Sequence, residues 1–136
     1  MLRLLAAHDT PALFDFFESL SPASKRRFQP HPLTLDAARD LCEAASSSTL
    51  RLVVSAHSRI VAYFILEPQV SRHEVDRYRA HGIELEAGKD WMFAPAVTDA
   101  LQNEGIASEA MPHLLALARA AGARSLVLMG DRKSVV

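Results

Sequence analysis

Cysteine is nearly absent. Cys42 is the only one in 136 residues, so the chain has no partner thiol for an intramolecular disulfide and no cysteine set for a zinc site. An excess of one charge is lacking too: Lys+Arg number 15 and Asp+Glu 16, a formal net charge of -1. No global field draws such a chain onto nucleic acid or anionic lipid, and neither is expected as a partner. No apolar run approaches the roughly 18 residues that span a bilayer, and the start from Met1 to Asp9 is too short and too soon charged for a signal peptide. A cytoplasmic protein is the expectation. The six histidines never stand in an H-x-x-x-H pair, so no metal is expected. What is present is an average globular mixture, 49% hydrophobic and 23% charged, in a length that suits one domain.

The hydrophobic spacing sorts the chain into alternating strands and helices. Leu2 to Ala7 reads as a first strand, followed by Asp9 and Thr10 as candidate caps with Pro11 at the first helical position. Phe14, Phe17 and Leu20 recur at helical spacing, Ser21-Pro22 starts a second short helix through Phe28, and Thr34 caps a third whose stripe holds Leu35, Ala38, Leu41 and Cys42. Cys42 is expected in the core. Leu50 to Ala56 and Ile60 to Leu66 are β-rich runs on either side of His57-Ser58-Arg59, a hairpin pattern. The second run lacks polar alternation and is expected inside the sheet with both faces covered. Ser71 to Glu74 is a capping-box arrangement for a helix that Gly82 stops, whereas Ile83 to Glu86 is too short to assign. Trp91 to Val97 is a strand with an expected bulge at Pro95. An amphipathic helix follows from Gly105 to Gly122, and Ser125 to Met129 is a last strand. Strand, helix and strand make a βαβ crossover with Trp91 to Val97 parallel to Ser125 to Met129, so the fold class is α/β.

The turn inside this crossover, Val97 to Ala107, is the informative segment. The first N–H groups of a helix have no intrahelical acceptor and stand at the positive end of the helix dipole, so an anion fits there. The small residues Gly105 and Ala107 let a phosphate approach the backbone. No G-x-x-x-x-G-K-[ST] occurs and no G-x-G-x-x-G follows a strand, which removes the P-loop and dinucleotide-fold readings. The plain alternative is an ordinary strand-to-helix turn in which Gly105 only relieves crowding.

Gln102-Asn103-Glu104-Gly105-Ile106-Ala107 resembles the Q/R-x-x-G-x-G/A acetyl-CoA signature of the GNAT superfamily of N-acetyltransferases, and it stands in that superfamily's order of elements over nearly the whole chain. The resemblance implies a mixed, mostly antiparallel sheet with flanking helices and a βαβ crossover. It implies acetyl-CoA as co-substrate and an amine, either a small molecule or a protein lysine, as acceptor. Carried over by position, the main chain near Val97 pairs with the pantetheine arm, the amides of Gln102, Asn103, Glu104, Gly105, Ile106 and Ala107 hold the pyrophosphate, and Ser108 adds a hydroxyl. Asp99 and Glu104 fit poorly, since a carboxylate beside a pyrophosphate repels it unless it points elsewhere. Glu67, at the end of the central strand, is the candidate base that deprotonates the amine; its alternative is a solvated carboxylate before Pro68. A main-chain N–H at the end of the Trp91 to Val97 strand would polarise the thioester carbonyl.

Two features depart from the pattern. Pro112 falls inside the last helix and removes one bond to the Ser108 carbonyl. After Ser125 to Met129 the superfamily continues with a helix and two strands that this sequence lacks, so the reading is residues 1–130 as an incomplete domain and 131–136 as a non-native-looking tail. One back-translation of that tail matches a common sequencing adapter, which suggests an artificial end. The uncovered edge from Ser125 to Met129 invites self-association. Two other functions stay open: a non-catalytic acyl-CoA-binding or protein-interaction module, and a structural domain with no CoA.

Overall fold

The computed structural model describes residues 1–28, 30–44, 49–102 and 104–128. Strand β1 (Leu2–Leu4) leads into α1 (Thr10–Ser19), α2 (Pro22–Arg27) and α3 (Leu35–Glu43). The hairpin β2 (Leu50–Ala56) and β3 (Arg59–Glu67) follows, then α4 (Arg72–Arg79), β4 (Asp90–Val97), α5 (Ile106–Ala120) and β5 (Ser125–Leu128). The sheet order is β1-β2-β3-β4-β5, antiparallel throughout except for the parallel pair β4 and β5. This is the expected α/β class with its βαβ crossover. Met129 and the tail 131–136 lie outside the described residues.

The sheet has an apolar layer on each face. On one side α1 and α3 bring Leu13, Phe16, Phe17, Ala38 and Cys42 against Val53, Tyr63 and Ile65. On the other, Ala110, Leu114 and Ala118 of α5 pack on Leu52, Phe64, Leu66, Trp91 and Phe93. Strand β3 is the middle strand and is buried on both faces from Ala62 to Leu66, as its unbroken apolar run requires. Burying each such side chain stabilises the fold by roughly 1.5–3 kcal/mol, so these layers fix the strand register. The hairpin closes on His57 and Ser58, both with positive φ (52° and 64°), the twist that a two-residue connection needs.

Two local expectations are corrected. The first strand stops at Leu4, because the Asp9 carboxylate accepts the Ala6 N–H at 2.7 Å and the two guanidinium nitrogens of Arg3 at 2.7 and 2.8 Å. Those bonds coil Ala7–Asp9 into a 3-10 turn and leave Asp9 unable to cap α1 with its side chain. Pro95 carries no bulge: it sits in register opposite Phe64, and the sheet's irregularity falls instead between Val54 and Ser55. Pro112 lies on the exposed side of an α5 that continues through it, where water can reach the carbonyl that its missing N–H frees.

Candidate functional site

Strand β4 has one edge against β3 and one toward β5. The Thr98 N–H donates to the Val61 carbonyl at 3.0 Å, which fixes the alternation: Ala96 and Ala94 turn their amides to β3, while Val97, Pro95 and Phe93 face the β5 side. Pairing with β5 reaches Phe93 opposite Leu128 among the described residues. Beyond that pair the outer edge of β4 meets no described strand. Pro95 stands there with no N–H to leave unsatisfied, which explains why proline is tolerated without a bulge. Val97 supplies the remaining N–H on this edge.

That edge leads into the turn between β4 and α5. Two of the amides that the sequence placed around a pyrophosphate are already engaged: the Gln102 N–H donates to the Asp99 carbonyl at 3.4 Å and the Glu104 N–H to the Leu101 carbonyl at 3.1 Å. Asn103 lies outside the described residues. Gly105 has a φ of 76°, and the first α5-type bond runs from the Glu109 N–H to the Gly105 carbonyl at 2.9 Å. The amides of Gly105, Ile106, Ala107 and Ser108 therefore have no acceptor among the described residues. They form a compact donor group at the positive end of a 15-residue helix. A Cβ on Gly105 would meet no protein atom within 4 Å, so glycine is needed there for its left-handed backbone and not to relieve crowding inside the protein.

The two carboxylates that fit poorly beside a diphosphate are placed differently from each other. Asp99 turns away from the free amides toward the start of α2: one oxygen accepts the Ser21 N–H at 3.0 Å and the other the Ser24 hydroxyl at 3.3 Å. These bonds hold its pKa below the usual carboxylate value. The Gln102 side chain donates from Nε2 to the Ser24 Oγ and to the Val97 carbonyl, both at 3.2 Å. Glu104 is exposed in the turn. Sequence reasoning missed this side-chain network because its partners stand 75 to 78 residues apart.

Glu67 is not brought to this turn. It pairs with Met92 on the ladder, while Val97 pairs with Ala62, so five residues of strand, roughly 17 Å at ~3.3 Å per residue, separate them. Its carboxylate accepts the Thr49 hydroxyl at 2.6 Å. It lies on the α1 face of the sheet, the face of Tyr63 and Ile65. Tyr63 itself is buried, its hydroxyl 3.1 Å from His31 Nε2, and burial pushes its pKa up so that it stays a neutral phenol. His113 is exposed on α5. Among the described residues no group of His, Cys, Asp or Glu is arranged to hold a metal ion.

No protein-family model and no curated protein matches the chain by sequence. Solved structures do match its fold. The GNAT domain of S. lividans PAT aligns with a TM-score of 0.72 at 22% identity, covering 93% of this chain and 69% of that one. An N-acetyltransferase from Staphylococcus aureus Mu50 aligns at 0.68 and 17% identity over 98% of this chain and 74% of that one. A GNAT family acetyltransferase from Brucella melitensis, crystallised in complex with acetyl-CoA, aligns at 0.61 and 23% identity over 98% and 77%. The chain thus has the fold of GNAT acetyltransferases.

Proposed function

We propose that this chain binds acetyl-CoA and transfers its acetyl group to an amine, a small molecule or a protein lysine. The observation that carries the reading is the set of amides from Gly105 to Ser108 that have no acceptor among the described residues, standing at the end of a β4 edge that meets no described strand, in a fold shared with acetyltransferases. The residues present fit the group: the donors suit a diphosphate, and the Val97 N–H lies on the outer edge of β4 beyond its pairing with β5, where a pantetheine arm or thioester carbonyl can accept it. The amine nitrogen attacks the thioester carbonyl carbon, a C–N bond forms, the C–S bond breaks and the thiolate leaves to take up a proton. Glu67, on the α1 face, is the proposed base, receiving the amine's proton through water. A free Cys42 thiol, buried in the core, suits a cytoplasmic location. Self-association along the β5 edge belongs to the same reading and is measured by sedimentation against concentration.

Calorimetric titration with acetyl-CoA tests the binding, and release of free thiol with a panel of amines tests the transfer. Saturable binding with amine-dependent thiol release is expected; a wild-type chain that takes up no acetyl-CoA overturns the proposal. A second reading, an acyl-CoA-binding module without transfer, is favoured by one observation. The open edge of β4 is made by Ala94, Pro95, Ala96 and Val97, none of which titrates. Binding without thiol release selects it.

A further inference from the structure

The network around Asp99 links two parts of the chain that the cofactor reading treats separately. Helix α2 is short, about 9 Å long at 1.5 Å per residue, and its start is held to the β4–α5 turn by Ser21 and Ser24 through Asp99 and Gln102. Its far end leads to Phe28, whose ring lies 4.9 Å from His31 and 6.2 Å from Tyr63. Tyr63 is the ladder partner of Ala96. Helix α2 therefore runs from the turn onto the α1 face of the sheet, while α5 covers the opposite face. None of the bonds to α2 uses the amides of Gly105 to Ser108. The amides proposed for the cofactor's phosphates and the bonds that hold α2 thus use different atoms of one turn.

We propose that Asp99 is a positioning residue: with Gln102 it latches α2 onto the cofactor turn and so sets how the amine approaches β4 from the α1 face, without itself contacting acetyl-CoA. The inference rests on the acetyltransferase reading for what approaches, but the latch can be measured apart from it. Gln102 serves the latch on both sides, because the same Nε2 that meets Ser24 also occupies the Val97 carbonyl.

The test compares the wild-type chain with Asp99→Ala, Ser24→Ala and the conservative Asp99→Asn, with Glu84→Ala on the remote Arg79 ion pair as control. Three quantities are read: amide hydrogen exchange in α2, acetyl-CoA affinity by calorimetry, and Michaelis constants with a lysine peptide, spermidine or kanamycin as acceptor. Asp99→Ala and Ser24→Ala should speed exchange of the Lys25 and Phe28 amides, which bond Ser21 and Ser24 carbonyls, by about tenfold or more. Acetyl-CoA affinity should stay within about twofold, the acceptor KM should rise at least threefold, and Asp99→Asn, which still accepts the Ser21 N–H, should keep exchange and KM near the wild-type values. Unchanged exchange in Asp99→Ala overturns the latch. A parallel loss of acetyl-CoA affinity overturns it differently, by showing Asp99 to belong to the cofactor site. If the wild-type chain binds no acetyl-CoA or acetylates none of the amines, the functional reading fails while the exchange data still decide whether the latch exists.

Discussion

Gly105 carries two separable demands, and a matched set of substitutions divides them. Its φ of 76° lies where a Cβ costs about 1–2 kcal/mol, less for Asn and Asp, whose short polar side chains tolerate the left-handed region. Since a Cβ there meets no protein atom within 4 Å, the backbone term is the whole intramolecular cost. Gly105→Ala should therefore lose about 1–2 kcal/mol of stability and Gly105→Asn less. Asp has the shape of Asn and adds a carboxylate on the order of 6 Å from a diphosphate held by the Ile106 to Ser108 amides. With an effective dielectric of about 20, each unit pair at that separation repels by about 3 kcal/mol, and solvent and salt reduce this to about half. Acetyl-CoA should then bind Gly105→Asp at least about tenfold more weakly than Gly105→Asn, a ratio that shrinks at about 0.5 M salt. Calorimetric titration of both variants, with urea melts to verify folding, measures it. Equal affinities at both salt concentrations, with both proteins folded, would refute a diphosphate at this turn.

The remaining predictions concern the start of β4, at Asp90 and at Glu67 opposite Met92. Asp90 is buried (2% exposed), and Arg124, then Ser125 and the Glu86 amide, hold its pKa down to about 2. A pKa lower in the folded than in the unfolded chain means stability present above pH ~4 and lost progressively between about pH 5 and pH 1, here about 2 kcal/mol. Urea unfolding of Asp90→Ala should therefore show a smaller drop from pH 7 to pH 2 than the wild type, by that amount; parallel drops would exclude the assignment. At Glu67, Gln keeps an acceptor for Thr49 but cannot take a proton. Glu67→Gln should cut amine-dependent thiol release by about a hundredfold or more while acetyl-CoA affinity stays within about twofold, and an undiminished rate removes Glu67 as the base.

Much of the architecture could be read locally. The unbroken run from Ile60 to Leu66 announced a middle strand because burial on both faces leaves no place for polar alternation, and β3 is that strand. The helical spacing from Ile106 to Ala118 and the strands on either side likewise announced the crossover, since a parallel pair needs a helix between its members. Such features follow from neighbours within a few residues or one period. Others depend on partners far along the chain. Asp9 looked like a helix cap until Arg3 claimed its carboxylate, and Pro95 looked like a bulge until the ladder put its nitrogen on the side where no described strand pairs. Asp99 looked out of place beside an anion until α2 folded over to engage it. Periodicity and turn chemistry are properties of short segments, so the sequence alone settles element types, the order of strands and helices, and which turn holds spare amides. Where the Asp99 and Gln102 side chains turn is set by hydrogen bonds to a segment 75 to 78 residues away, and only the assembled fold brings those segments together.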